Sequence, residues 1–226
     1  MSDATTRPAF YALHGGGWRD YVTLLHPPYT LWHLSYVGIG AALAPHMQWA
    51  LLGWTVLAFF LAMGIAAHAL DELNGRPLRT GIPAPALVAL ATAGLAGACA
   101  IGVVVAAHRT WWLLAFVAVG AFAAVAYNLE LFGGALHTDA WFAATWGAFP
   151  VLTAYFAAAE RLAPEAVAAA AFALAASLAQ RTLSTQVRAA RRSGGDLAAS
   201  RPAERALKLS SLAMPLLAAA LLVARV

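Results

Sequence analysis

The chain has 226 residues, of which 62% are hydrophobic and 11% are charged, and its mean hydropathy is +0.71. A water-soluble domain of this length cannot bury so much apolar surface, so the composition excludes a soluble globular protein and makes lipid the solvent for part of the chain. The single cysteine, Cys99, excludes an internal disulfide framework. The formal net charge is +4 at pH 7, but no basic patch is interleaved with aromatic residues, so we expect no nucleic-acid partner.

Apolar runs bounded by proline, glycine or charged residues predict an all-α, polytopic transmembrane bundle of about seven helices. The first 28 residues lack the basic region, apolar core and cleavage site of a signal peptide. We therefore expect a cytoplasmic N-terminal segment, residues 1–28, and a single transmembrane domain, residues 29–226. In chain order, the predicted helices are residues 29–45, 48–71, 84–107, 110–127, 140–159, 164–187 and 205–224.

Basic residues predict the orientation of this bundle. With seven spans, eleven of the fourteen basic residues lie on the same side as the N-terminus, and the positive-inside rule makes that side cytoplasmic. We therefore predict an integral cell-membrane protein whose N-terminus and site loops face the cytoplasm. Arg188–Arg192 and Arg201–Lys208 are interpreted as topology signals and lipid contacts. His26, Tyr29 and His33 are interpreted as part of an interfacial aromatic belt.

The segment 68–81 follows directly on a long apolar run and carries the strongest chemical signal. His68, Asp71 and Glu72 are spaced so that a helix would point them the same way. Ionisable groups at the end of a transmembrane helix are costly and usually functional. An imidazole and two carboxylates at the water edge of a membrane helix predict a metal site.

A second set of candidate ligands comes from the segment 127–139. Glu130 lies between apolar neighbours, where a carboxylate is paired, protonated or bound to a metal. His137 and Asp139 add an imidazole and a carboxylate, and Asp139 is also a good N-cap for the helix that follows. The candidate metal ligands are thus His68, Asp71, Glu72, Glu130, His137 and Asp139.

Three stretches of the chain resemble the UbiA superfamily of intramembrane prenyltransferases. Residues 30–43 are similar to the family's first helix. The run from His68 to Asp71, followed by Arg76-Pro77-Leu78-Arg79-Thr80-Gly81, is similar to its first Asp-rich motif and the segment after it. Tyr127-Asn128 and Trp146-Gly147-Ala148-Phe149-Pro150 resemble the loop and the fifth helix of family members. The resemblance implies a helical bundle in which Mg²⁺ holds a prenyl diphosphate at the cytoplasmic ends of the helices. It also implies membrane lipid as the surroundings and a lipophilic substrate.

By this resemblance the activity would be transfer of a prenyl group from a prenyl diphosphate to a lipophilic or aromatic acceptor. Asp71 and Glu72 would act in catalysis by holding Mg²⁺, while Glu130 and Asp139 would orient or deprotonate the acceptor. Metal and arginine would stabilise the charge on the leaving diphosphate. The residues expected to bind the substrates are Asn74, Arg76, Arg79, Asn128 and Arg181.

Two other functions stay open. His68 occupies the family's first acidic position, and residues 180–188 contain no carboxylate where the family has a second Asp-rich motif. A mixed histidine and carboxylate set suits Fe, Mn or Zn, and hence a metalloenzyme that acts on a membrane lipid without a diphosphate. The third function is a non-enzymatic lipid- or ion-binding membrane protein whose polar cluster is a structural network. The sequence predicts no particular oligomeric state.

Overall fold

The computed structural model of the chain describes residues 8–13, 16–193 and 197–226. Within these ranges the regular structure is helical and contains no β-strand, which confirms the all-α prediction. Residues 1–7, at the start of the expected N-terminal segment, lie outside the described residues. The helices are α1 (Trp18–Leu24), α2 (Pro27–Leu43), α3 (Trp49–Leu73), α4 (Ala84–His108), α5 (Leu113–Asn128), α6 (Asp139–Ala159), α7 (Pro164–Ser193) and α8 (Leu197–Val223).

Five of these helices, α3, α4, α6, α7 and α8, are long and apolar enough to cross a membrane. The chain is therefore a membrane protein, as its composition predicts. The predicted helices 29–45 and 110–127 correspond to α2 and α5, which have 17 and 16 residues. Helix α1 lies inside the expected N-terminal segment and was not predicted, because its seven residues are too few and too polar for a span.

Alternating helix directions gather the connections at two ends of the bundle. At one end, Arg109 donates to Ala158 O at 3.0 Å and pairs with Glu160 at 3.0 Å. Arg225 donates to Ala44 O at the same end, at 2.9 Å. The opposite end, here named the site end, holds the N-terminus of α2, the loop 74–83 and the segment 129–138.

Helix α2 lies at the centre of the bundle, as the burial of eleven of its 17 residues shows. Tyr36 is fully buried, and its hydroxyl oxygen accepts from Trp32 Nε1 at 2.6 Å and from Ser177 Oγ at 3.1 Å. Small residues let neighbouring helices approach α2 closely, as is usual in lipid. At Gly40 the α6 backbone comes so near that a Cβ atom there would overlap the Val151 carbonyl oxygen.

Two of the long helices contain a π-helical turn, Phe60–Ala67 in α3 and Ala143–Ala148 in α6. Such turns are rare and often lie at functional sites, because the change of hydrogen-bond register displaces side chains and frees carbonyl groups. In this protein both turns lie directly beside cavity-lining residues: the first ends one residue before His68, and the second contains Trp146. The turns therefore shape the part of the molecule that carries the polar side chains.

The close approach at Gly40 predicts a stability effect. Gly40→Ala should lower the free energy of unfolding by about 1–3 kcal/mol, since α2 and α6 must separate to admit the new methyl group. Gly53→Ala is the matched control, because a Cβ at Gly53 meets nothing within 4 Å and alanine is the better helix former. Thermal unfolding in detergent measures both variants, and equal stability of the two would contradict the packing at Gly40.

Candidate functional site

A polar cavity of about 430 Å³ opens within the site end. Its walls come from α2, α3, α5, α6 and α7 together with the loops that follow α3 and α5. Ionisable or amide side chains make up much of this lining, in contrast to the apolar bundle below it. They are His26, His33, His68, Asp71, Asn74, Asn128, Glu130, His137, Gln180, Arg181 and Arg188.

Three of the cavity histidines are oriented by backbone carbonyl groups. The Nδ1 atoms of His33, His68 and His137 lie 2.8, 3.1 and 3.0 Å from carbonyl oxygens of Trp146, Gly64 and Tyr127. A carbonyl oxygen only accepts hydrogen bonds, so each Nδ1 must carry the hydrogen. In the neutral form of such a ring, the Nε2 atom carries a lone pair that can accept a proton or bind a ligand.

A fourth histidine, His26, closes one edge of the cavity. It precedes α2 with φ 45°, its Nδ1 lies 2.6 Å from the Tyr11 hydroxyl, and its ring stacks on His68 with a centroid distance of 4.2 Å. Burial holds the pKa of His26 well below its usual range, helped by His68 and by the positive charge of Arg188. Burial also raises the pKa of Tyr11 well above its usual range. His26 and Tyr11 are therefore both neutral near pH 7.

The structure brings the two predicted polar segments into contact. Asn74 Nδ2 donates to Asn128 O at 3.2 Å, and Asn128 Nδ2 donates to Ala124 O at 2.7 Å. These bonds use the amide nitrogens and leave both amide oxygens as acceptors beside Asp71 in the cavity wall. Seven of the predicted site residues line this cavity: His68, Asp71, Asn74, Asn128, Glu130, His137 and Arg181.

Glu72 does not line the cavity, so the expectation that it faces the same way as His68 and Asp71 is wrong. Its side chain is fully buried and accepts from Leu78 N at 2.9 Å, from Thr80 N at 2.8 Å and from Thr80 Oγ1 at 2.9 Å. A carboxylate that satisfies three donors is a structural centre for its loop. Glu72 thus folds the loop 74–83 against α3.

Three other predicted site residues also lie outside the cavity lining. Arg76 donates to Ile82 O at 2.6 Å and to Thr80 O at 3.4 Å, which fixes the loop 74–83 from within. Arg79 is exposed, with φ 56°. Asp139 begins α6 and accepts from Arg181 Nε at 2.9 Å, so its contribution to the site is to orient that arginine.

Arg188 is the cavity residue whose importance the sequence analysis missed. It lines the cavity, and among the residues that the structure describes it has no carboxylate partner, only a 3.4 Å bond from Nε to Ser184 O. The signal was present in the spacing, because Arg181, Ser184, Thr185 and Arg188 repeat at three and four residues and so share one face of α7. His26, His33 and Gln180 also line the cavity and were not assigned to the site.

The donors present are too dispersed to enclose a metal ion by themselves. Within the described part of the chain, no three His, Cys, Asp or Glu side chains come together as a metal-binding group. Asp71 and the Asn74 amide oxygen do provide one carboxylate and one neutral oxygen in the same wall. Mg²⁺ is commonly bound by one or two carboxylates together with phosphate oxygens of a substrate, so these donors fit Mg²⁺ with a phosphorylated ligand.

An apolar cleft of about 110 Å³ adjoins the polar cavity. It lies between α3, α4, α5 and α6, with Cys99, Phe116 and Phe149 in its walls. Met63 and Trp146 line both spaces, so these two side chains form the boundary between the polar cavity and the apolar cleft.

The buried carboxylate of Glu72 predicts a loss of stability on neutralisation. Glu72→Gln should lower the free energy of unfolding by about 1–3 kcal/mol, since an amide cannot accept from all three donors of the loop 74–83. Glu160→Gln, whose side chain is 44% exposed beside Arg109, should cost less than about 1 kcal/mol. Chemical unfolding measures both. Unchanged stability in Glu72→Gln, with weakened Mg²⁺ binding, would instead make Glu72 a metal ligand.

The buried His26 predicts that acid destabilises the fold. Its folded pKa lies well below 6.5, so the unfolded chain takes up the proton first as the pH falls. The free energy of unfolding should therefore decrease below pH 6.5, by up to about 1.4 kcal/mol per pH unit for this proton. His26→Asn should flatten this slope, because asparagine tolerates the left-handed backbone and does not titrate. His46→Asn, at an exposed site, should leave the slope unchanged, and equal slopes in all three proteins would exclude His26 as its origin.

Comparison of the chain with models of known protein families, with curated proteins and with solved structures finds no match in any of the three.

Proposed function

We propose that the protein is an intramembrane prenyltransferase that moves a prenyl group from a prenyl diphosphate to a lipophilic or aromatic acceptor. The observation that carries the proposal is the junction, across Met63 and Trp146, of a polar cavity lined by Arg181 and Arg188 with an apolar cleft. A prenyl diphosphate has the matching form, since a strongly anionic head is joined to a branched hydrocarbon chain. The likeness to the UbiA superfamily in the segments 30–43, 68–81 and 127–150 supports the same proposal.

Arginine supplies most of the positive charge for the head group. Arg188 lines the cavity without a carboxylate partner among the described residues, and Arg181 lines the same cavity from the same face of α7, two turns earlier. A guanidinium group binds phosphate oxygens through two parallel N–H donors, which makes arginine suited to this role. Asp71 and Asn74 would hold Mg²⁺ against the same head group, where the ion would supply further charge neutralisation.

Prenyl transfer releases a diphosphate and a proton, and the cavity must bind both. The allylic carbon–oxygen bond breaks with its electron pair passing to the diphosphate, and the acceptor forms the new bond to the prenyl carbon. Arg181 and Arg188 stabilise the charge that grows on the leaving oxygen. The proton lost by the acceptor goes to a base, for which we propose His68 Nε2, since the hydrogen of His68 Nδ1 is used at Gly64 O.

The membrane arrangement is part of the proposal. We propose seven spans, with α2 and α5 completing the five long helices, and the site end in the cytoplasm. Arg181, Arg188, Arg76 and Arg79 all belong to this end, and the positive-inside rule favours the cytoplasmic side for them. A cytoplasmic site would receive a water-soluble diphosphate head directly.

One observation favours a second function, a metalloenzyme acting on a lipid without a diphosphate. The Nδ1–H groups of His33, His68 and His137 are held by carbonyl oxygens, which is the usual support of histidines that bind metals through Nε2. Fe, Mn or Zn would be the metal. Elemental analysis of the purified protein decides this: stoichiometric metal that is lost in His68→Ala would establish this function over the first.

The proposal predicts that Arg188 and Asp71 control binding of the diphosphate. Arg188→Ala should weaken farnesyl diphosphate binding in the presence of Mg²⁺ by about 10- to 100-fold, the effect of losing a hydrogen-bonded charge. Asp71→Asn should abolish the part of the affinity that depends on Mg²⁺. Calorimetric titration of the detergent-purified protein measures both, and transfer to an added acceptor should fall in parallel.

The matched control is Arg205→Ala, which removes an exposed cation of α8 outside the cavity lining and should leave the affinity unchanged. Farnesol serves as the ligand without a diphosphate. If the wild-type protein bound farnesol as tightly as farnesyl diphosphate, the cavity would not recognise the head group and the prenyltransferase proposal would fall. Tight lipid binding without turnover would instead establish the non-enzymatic lipid-binding protein.

A further inference from the structure

Helix α1 lies at the level where two membrane-spanning helices end. Leu24, the last residue of α1, is buried and packs with Ala69 near the end of α3 and with Leu87 in the first turn of α4. Both α3 and α4 are long and apolar enough to cross a membrane, so these ends mark the boundary between the apolar layer and the lipid head groups. Helix α1 therefore lies in the head-group region.

The exposed side of α1 carries two aromatic rings and a cation. Trp18 is 65% exposed and Tyr21 is 44% exposed, and a spacing of three residues puts them on one face of the helix. The guanidinium carbon of Arg19 lies 5.1 Å from the centre of the Trp18 ring. Tryptophan and tyrosine are enriched where a membrane meets water, because their rings combine an apolar body with a polar edge. This face of α1 therefore suits contact with lipid head groups.

The loop 74–83 adds a second exposed cation to this surface. Asp20 Oδ2 accepts from Gly81 N at 2.8 Å, which joins α1 to the loop. Arg79, two residues before Gly81, is exposed. Within the described part of the chain, neither Arg19 nor Arg79 has a carboxylate partner. Two arginines against the one carboxylate of Asp20 leave the surface with a net positive charge.

We propose that Trp18, Arg19, Tyr21 and Arg79 form a docking surface for the head group of an anionic phospholipid. The two rings lie at the level of the head groups, and the two guanidinium groups bind phosphate oxygens through paired N–H donors. A zwitterionic lipid also carries a cation, which the arginines repel, so the surface selects lipids of net negative charge. The inference goes beyond the proposed function, since none of these four residues lines the polar cavity.

Titration with short-chain lipids tests the docking surface. Dioctanoyl phosphatidylglycerol and dioctanoyl phosphatidylcholine have the same tails, so a difference in their affinity for the full-length protein in detergent reports on the head group. We expect native mass spectrometry to show tighter binding of phosphatidylglycerol, by about tenfold. Arg19→Gln and Arg79→Gln should each weaken this binding about fivefold, the contribution of one arginine near an anionic membrane surface. Trp18→Ala should weaken it about threefold.

Two further variants separate the charge of this surface from the net charge of the protein. Asp20→Asn keeps an oxygen that can accept from Gly81 N and removes the negative charge, so it should tighten phosphatidylglycerol binding. Arg161→Gln is the matched control, because it removes an exposed cation at the opposite end of the bundle and should leave the binding unchanged. The unfolding midpoint of Arg19→Gln should equal that of the wild type, because the Arg19 side chain is exposed.

Equal affinity of the wild type for the two lipids would overturn the inference. An equal loss of affinity in Arg19→Gln and Arg161→Gln would also overturn it, by tracing the binding to net charge. Glycerol phosphate provides the head-group anion without tails, and binding as tight as that of phosphatidylglycerol would make the surface a site for soluble phosphate instead. Failure of the proposed function has a different signature, because the protein would then select phosphatidylglycerol normally but show no preference for farnesyl diphosphate over farnesol.

Discussion

A membrane protein has no water in its apolar interior to satisfy backbone groups, and this constraint organises the whole site end. The π-helical turns of α3 and α6 place the carbonyl groups of Gly64 and Trp146 where histidine rings from the cavity wall can satisfy them. By donating Nδ1–H to those oxygens, His68 and His33 become fixed in one tautomer and one orientation. The hydrogen bonds that satisfy these carbonyl groups therefore also fix the two histidine rings in the cavity wall.

The same lack of water applies to the buried side chain of Glu72. Its buried carboxylate accepts hydrogen bonds from three donors of the loop 74–83, and Arg76 donates to two carbonyl oxygens of that loop. The loop can then pass over the end of α3 without leaving unpaired polar groups in an apolar setting. Asp71, one residue before Glu72, is left to face the cavity.

Sequence reasoning predicted the helical class, the location of each long helix and that the segments 68–81 and 127–139 lie at the same end of the bundle, but not that they are in contact. It expected Glu72, Arg76 and Arg79 at the site, whereas the structure puts all three outside the cavity lining, because spacing alone does not tell whether a polar group at a helix end faces a cavity or its own loop. The amino-acid composition of the π-turns does not distinguish them from α-helix, so the hydrogen bonds from His33 and His68 to carbonyl groups of these turns could not be predicted from the sequence. Arg188 was overlooked because a cluster of cations at a membrane boundary is ordinarily a topology signal, and its pairing depends on distant residues.

Trp146 takes part in both halves of the candidate site through different atoms. Its carbonyl oxygen orients His33, while its indole borders the polar cavity on one side and the apolar cleft on the other. A change of side chain at this position alters the width of the cleft, and a change of the local π-turn alters the polar wall. A substitution at position 146 therefore changes the apolar cleft and the polar cavity together, so the width of the one and the chemistry of the other cannot be varied independently there.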